Sequence, residues 1–219
     1  MSTTIRIRIE TKKKLEALKR YKRESMDEII NRLIERAVKG EWIEIFEIAL
    51  KLKMGVKLNP LEEKWIEELA KAGGWDREDV VEDLKHIDRD PSERVDRYRE
   101  LFEKYFREAL KLKKVGDTQQ AAEKIWGAVT ALIKLYAALK GVPVVYWSTG
   151  KIDRFITYNV EKRYRRLFRD LVDKGRRMHE HFYEANLDSR TFEERWNDLL
   201  EHLEKAKKIV LHLETTKSQ

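Results

Sequence analysis

Apolar residues recur along this chain with two different periods. From Thr3 to Ile9 they alternate, with Ile5, Ile7 and Ile9 on one parity and Thr4, Arg6 and Arg8 on the other, the pattern of a half-buried β-strand. Elsewhere the spacing is three and four residues, as on one face of a helix. Thr11 can cap a first helix carrying Leu15, Leu18 and Tyr21. Ser25 and Glu28 have the form of a capping box opening a second helix through Met26, Ile29, Ile30, Leu33, Ile34 and Ala37, up to Gly40. A lone strand cannot satisfy its own backbone donors and acceptors, and no second strand follows, so the pattern predicts pairing with the same strand of another copy. Parity then sets the register: the isoleucines face the core and Thr4, Arg6 and Arg8 face outward.

Beyond Gly40 the spacing predicts short helices over Trp42–Lys53, ending at Gly55, over Pro60–Ala72 with Asn59 as cap and Gly73-Gly74 as stop, and from Asp76 to about His86. Asp90-Pro91 joins a cap to a first-turn proline and opens a long helix with the stripe Val95, Tyr98, Phe102, Tyr105, Ala109 and Leu112. Gly116-Asp117 interrupts it, and another helix runs from Thr118 to Lys140. The segment from Gly141 to Gly150 is too apolar to be merely solvated and should pack on the helices. Helical spacing resumes through Ile152, Phe155, Ile156, Val160, Tyr164, Leu167, Phe168 and Leu171, and a capping box at Thr191 and Glu194 opens the last helix. The expected fold class is mainly α: one strand and two helices over residues 1–40, a helical connector over 41–90, and an all-α bundle over 91–219.

Composition supports this reading. With 219 residues, 42% of them hydrophobic, the chain can bury a sizeable core, and 9 Gly with 3 Pro suit long helices better than many-stranded sheets. The absence of Cys excludes disulfides, thiolate metal sites and a Cys nucleophile, and favours the cytoplasm. Three Gln and five Asn within a charge-rich chain resemble a hyperthermophile composition. The most apolar stretch, Ala128 to Leu139, is too short to span a bilayer and contains Lys134, so no membrane span is expected. The first residues lack the apolar block of a signal peptide, so no export is expected either.

The net charge of +7 is unevenly distributed: residues 1–40 carry +6, residues 41–91 carry −6 and residues 92–219 carry +7. Within the last segment, residues 151–177 hold 10 basic and 4 acidic side chains. Two basic modules flanking an acidic one are two candidate anion-facing surfaces.

The first forty residues resemble the ribbon-helix-helix family of DNA-binding domains, in the variant common among archaeal antitoxin-like regulators. The resemblance implies a homodimer whose paired N-terminal strands lie in the major groove of double-stranded DNA, with Thr4, Arg6 and Arg8 reading base edges. Arg suits that task because its planar fork matches the O6 and N7 acceptors of guanine. It also implies a phosphate held at the start of the second helix, at Ser25 and Met26, although Asp27 and Glu28 bring negative charge to that end.

From about Arg97 to Leu213 the chain resembles the PaREP family, a group of archaeal helical proteins related to the HEPN superfamily. The residues that carry this are Gly116-Asp-Thr-Gln-Gln-Ala-Ala-Glu-Lys-Ile-Trp-Gly-Ala-Val with Lys134 after it, and Met178-His-Glu-His-Phe-Tyr-Glu-Ala-Asn. The family implies a helical bundle, often dimeric. Some HEPN proteins are metal-independent ribonucleases with an Arg and a His separated by four to six residues, and Arg176/His181 and Arg195/His202 have that spacing. Chance alone produces such pairs in a chain with this much Arg and five His, and Arg177 stands where the ribonuclease motif has a small polar residue.

Lys162, Arg163, Arg165, Arg166 and Arg169 interleave with Tyr164 and Phe168, giving either a second nucleic-acid surface or the charged outer face of a core helix. His179 and His181 lie two apart on a helix and point to different faces, so no metal is expected, and no nucleotide-binding loop or other cofactor motif occurs. The expected function is a cytoplasmic, nucleoid-associated DNA-binding homodimer, a regulator or antitoxin-like protein and not an enzyme. A HEPN-type ribonuclease or toxin, and an architectural chromatin protein with little sequence preference, are the competing classes.

Overall fold

In the computed structural model, which describes residues 7–17, 25–30, 42–144 and 149–217, the described chain is helical and no strand occurs among the described residues. The helices are α1 (Ile9–Glu16), α2 (described over residues 26–30), α3 (Trp42–Lys53), α4 (Pro60–Gly73), α5 (Arg77–Lys85), α6 (Val95–Lys114), α7 (Thr118–Leu139), α8 (Thr149–Asn159), α9 (Arg165–Glu184) and α10 (Ser189–Lys217). Helix α7 is apolar on nearly every side, and from Ala121 to Leu139 all its residues except Glu123 and Lys124 are buried. Such a helix must be enclosed. The helices α6, α9 and α10 pack along it, α4 touches it, and α5 packs against α3 and α4. The alternating segment Thr3 to Arg6 lies outside the described residues.

Local chemistry explains most of the boundaries. The Asn59 side chain accepts hydrogen bonds from the backbone N–H groups of Leu61 and Glu62 at 2.9 and 3.0 Å, while the Glu62 carboxylate accepts the Asn59 N–H at 2.9 Å, a reciprocal cap on α4. Gly74 ends that helix at φ +67°, in the left-handed region. Asp90 accepts from Ser92 N–H at 2.8 Å and opens a 3₁₀ turn over Pro91–Arg94 that leads into α6. Asp117 caps α7 by accepting from Gln120 N–H at 3.0 Å. Val142 and Val144 pack against the core, as the apolar character of that loop predicts.

Three local expectations are corrected. Ile9 opens α1, with Arg8 as its N-cap, so Thr11 lies in the first turn. The following Glu, Lys and Leu residues favour helix and draw Ile9 out of the alternating pattern. The stripe from Ile152 to Leu171 is two helices, α8 and α9, separated by a turn at residues 160–164 that no Gly or Pro announces. Val160 remains buried there, and its carbonyl accepts from Arg165 Nε at 2.9 Å, so a side chain replaces a helical partner. Finally, Asp188 caps α10: its carboxylate accepts the N–H groups of Arg190 and Thr191 at 3.0 Å and the Thr191 hydroxyl at 2.6 Å. Thr191 sits inside the helix.

Two backbones meet where α4 ends. A Cβ added at Gly127 would stand 2.4 Å from the Gly74 carbonyl oxygen and 3.2 Å from the Tyr105 ring. The approach is locked by three hydrogen bonds: Trp75 Nε1 to Gly127 O at 3.1 Å, Trp126 Nε1 to Ala72 O at 3.0 Å, and Thr130 Oγ1 to Gly73 O at 2.7 Å. Trp75 and Trp126 are thereby core residues with satisfied indoles.

Charge follows the same contact. Asp76, Asp79 and Asp83, at and along α5, face the cations of α6 and α7. Asp76 accepts from Lys104 at 2.8 Å and Lys124 at 2.7 Å, and Asp79 accepts from Lys104 at 2.6 Å, Arg97 at 2.7 Å and the Tyr105 hydroxyl at 2.6 Å. Deeper, the fully buried Asp83 carboxylate takes Arg94 at 2.5 Å on one oxygen and Lys134 at 2.6 Å on the other. Burial alone would raise the Asp83 pKa, but its two cations outweigh that and hold it below the usual carboxylate range. Burial pushes Lys134 down, and Arg94 adds to the shift against the opposing pull of Asp83, because two cations share one anion. Three acids of residues 41–91 thus pair with cations that follow them in the chain, while Glu62, Glu63 and Asp88 pair with Lys51, Arg77 and Lys53 of their own segment.

Candidate functional site

Of the expected base-reading residues, Thr4 and Arg6 lie outside the described residues. Arg8 is exposed, its backbone extended as it enters α1, and its guanidinium makes no hydrogen bond or ion pair among the described residues. Ile7 and Ile9 flank it, 41% and 77% exposed in the single chain. The capping box at Ser25 is formed: the Glu28 N–H donates to Ser25 Oγ at 3.2 Å, and the Glu28 carboxylate accepts the Ser25 N–H at 2.7 Å and its hydroxyl at 2.8 Å. A carboxylate of the chain therefore occupies the helix start where a phosphate was expected at Ser25 and Met26. Ile29, one turn on, is buried.

The second basic stretch is divided by the turn between α8 and α9. Arg165 points back to close that turn on Val160 O, and Arg169 donates to Thr157 Oγ1 at 3.0 Å, fastening α9 to α8. Arg163 pairs with Glu161 at 3.0 Å and lies 4.6 Å from the Tyr164 ring centroid. Lys162 is exposed without an ion pair among the described residues. The Arg166 side chain is 94% exposed, with Asp170 at 3.7 Å. Tyr164 is half-buried and Phe168 fully buried, so the aromatics of the stretch belong to the core and its cations to the surface. Sequence reading missed Arg154 and Tyr158 on the same surface. They fall off the buried stripe of Ile152, Phe155 and Ile156 and share the outward face of α8, which was the available signal.

The two sequence blocks singled out from Gly116 and from Met178 meet across α7 and α9. His179 Nδ1 lies 2.6 Å from Glu123 Oε2, with the imidazole 5.7 Å from the Trp126 ring and 5.1 Å, edge-on, from Tyr183. Gln119 Nε2 donates to Phe182 O at 3.1 Å. His181 is buried, its Nδ1 accepting the Leu187 N–H at 3.1 Å and its Nε2 3.4 Å from Thr118 Oγ1. Burial, with Arg177 contributing, lowers its pKa and favours the neutral ring that this acceptor role requires. Arg176 turns elsewhere, toward Asp173 at 3.6 Å and Asp153 at 3.9 Å. Among the described residues the ion pairs of Arg176 and the hydrogen bonds of His181 go to different partners. His202 Nδ1 donates to the Asp198 carbonyl at 2.8 Å, while Arg195 is exposed. Among the described residues no group of three or more His, Cys, Asp or Glu could hold a metal ion, and no helix is long and apolar enough to cross a membrane.

Fold and surface together define a helical-bundle protein preceded by a short basic module. Residues 97–203 match the Archaeal PaREP1/PaREP8 family, and residues 1–49 match a family described as Putative antitoxin. The chain thus joins an antitoxin-type N-terminal domain to an archaeal PaREP1/PaREP8 domain. The blocks at Gly116 and Met178 both lie within the second match, and the half-buried His179–Glu123 contact joins them across α7 and α9. Comparison with curated proteins gave no match, and comparison with solved structures gave none.

Proposed function

We propose that this protein is a homodimeric, DNA-binding regulator of the antitoxin type, in which residues 1–40 form a ribbon-helix-helix module. The observation that carries the reading is the antitoxin-family match over residues 1–49. Three features support it. The module carries +6, Arg8 is exposed with no hydrogen bond or ion pair among the described residues, and Ile7 and Ile9 are open in a single chain although apolar. Pairing two copies through the N-terminal segment covers Ile5 and Ile7 and aims Thr4, Arg6 and Arg8 at base edges. Ile9, at the start of α1, then borders the paired segment. Salt-dependent phosphate contacts supply most of the affinity, and the arginines supply the sequence preference.

Deleting residues 1–10 tests this directly. The truncated chain is expected to be monomeric by analytical ultracentrifugation at concentrations where the full chain is dimeric, and to lose binding to duplex DNA. A truncated protein that binds duplex with unchanged affinity would rule the N-terminal ribbon out.

A further inference from the structure

The outward face of α8 and the turn into α9 present groups that the packing leaves unused. Tyr158 is 77% exposed, and its ring has no stacking or hydrogen-bond partner among the described residues. Arg154 stands one turn earlier on the same helix face, and Lys162 follows in the turn; neither has an ion pair among the described residues. Arg169, bonded to Thr157 next to Tyr158, holds the first turns of α9 against this face, and Arg166 extends from it into solvent. From Lys151 to Asp170 there are seven Lys or Arg and three Asp or Glu. All three acids are engaged, Asp153 near Arg176 at 3.9 Å, Glu161 with Arg163 at 3.0 Å and Asp170 near Arg166 at 3.7 Å.

We propose that this face binds single-stranded nucleic acid, with a base stacked on Tyr158 and the flanking phosphates on Arg154, Lys162, Arg166 and Arg169. Cations alone would suit any polyanion, but the exposed ring narrows the choice. In a duplex both faces of each base are covered by neighbouring bases, so a protein ring at the surface gains nothing from them. A single strand offers free π-faces, and a tyrosine set among arginines is the arrangement that takes them without regard to sequence. The residues invoked, 154 to 169, are none of them in the N-terminal module, so the inference stands independently of the duplex reading proposed above.

The test is fluorescence anisotropy of the full chain with a labelled oligo(dT) of about 15 nucleotides, within the length one such site covers. Tyr158→Ala is expected to weaken binding about tenfold, and Tyr158→Phe, which keeps the ring, to bind as the wild type does. Arg166→Ala should lower the slope of log affinity against log salt by about 0.7, one single-strand phosphate contact. Tyr158 is exposed, so its loss should leave the helical circular dichroism unchanged. Duplex binding should be unaffected by Tyr158→Ala, and oligo(dT) binding unaffected by Arg8→Ala, which separates failure of this inference from failure of the duplex reading. Absence of oligo(dT) binding by the wild type at low salt would overturn the proposal. So would equal affinity of Tyr158→Ala and wild type, or a Tyr158→Phe variant as weak as Tyr158→Ala; in those cases the face is electrostatic only.

Discussion

Removing one or the other charge of the buried Asp83 cluster should have very different consequences. Asp83 and Lys134 each retain about 5% of their surface, and the carboxylate serves one cation on each oxygen, Arg94 at 2.5 Å and Lys134 at 2.6 Å. Asp83→Asn removes the sole anion of the triad and leaves two buried cations facing each other. Breaking a buried pair in this way costs about 3 to 5 kcal/mol. For a chain of this size each kcal/mol moves the melting temperature by about 2 to 4 °C, so a fall of about 6 to 20 °C is expected. Lys134→Met instead removes the surplus cation and leaves Asp83 with Arg94, one to one. The ammonium lies 4.5 Å from the Trp75 ring centroid and 5.5 Å from that of Tyr98, and loss of these contacts opposes the gain. A thioether in the same place keeps a favourable sulfur contact with the aromatic rings. The net change for Lys134→Met should therefore stay within about 1 kcal/mol of the wild type, or become stabilising. Thermal unfolding of both variants followed by circular dichroism reads the contrast. A Lys134→Met variant as destabilised as Asp83→Asn, or an Asp83→Asn variant that melts with the wild type, would refute the account of one anion shared by two cations.

Other outcomes follow from particular contacts. Gly127→Ala should lose about 2 kcal/mol or more despite the better helix propensity of Ala, because its Cβ would meet the Gly74 carbonyl and neither backbone can yield; an unchanged melting temperature would show that the helices separate easily. The lowered pKa of buried His181 means that the unfolded chain takes up its proton first as pH falls below the ordinary value of about 6.5. Stability should therefore decline from about pH 7 toward the lowered folded value, and His181→Gln should flatten that decline; identical pH profiles would contradict the acceptor role toward Leu187. Arg165→Ala frees the Val160 carbonyl, and hydrogen exchange should rise locally at residues 160–165 with little change elsewhere; no local increase would mean that the turn holds without the guanidinium.

The helices were largely legible because their ends carry chemistry that acts within a few residues. Asn59 with Glu62, Gly74, Asp90 with Pro91, and Asp117 each name a boundary, and the structure places helix ends there. The break between α8 and α9 was not legible, since the group that stabilises it, Arg165, reads as one more cation in a basic run. The Asp83–Lys134 pair was hidden for a different reason. Its members are 51 residues apart, and a lysine in an apolar run shows that a partner is needed without showing which. The basic surface was half visible: cations count themselves in the sequence, but Arg165 and Arg169 are partly engaged in structure, while Arg154 and Tyr158 join only when α8 is laid against α9. The Arg176/His181 spacing shows the opposite failure, a pattern in sequence whose members take separate partners in space.

The central claim is that the N-terminal module reads duplex DNA as a symmetric pair. A nuclease footprint of the full chain on the duplex upstream of its own coding sequence tests it most directly. The account predicts a protected segment composed of two inverted half-sites, with Arg8→Ala losing discrimination of about 1 to 3 kcal/mol for each guanine contact. Absence of protection by a folded, dimeric protein, or protection by Arg8→Ala identical to that of the wild type, would contradict it.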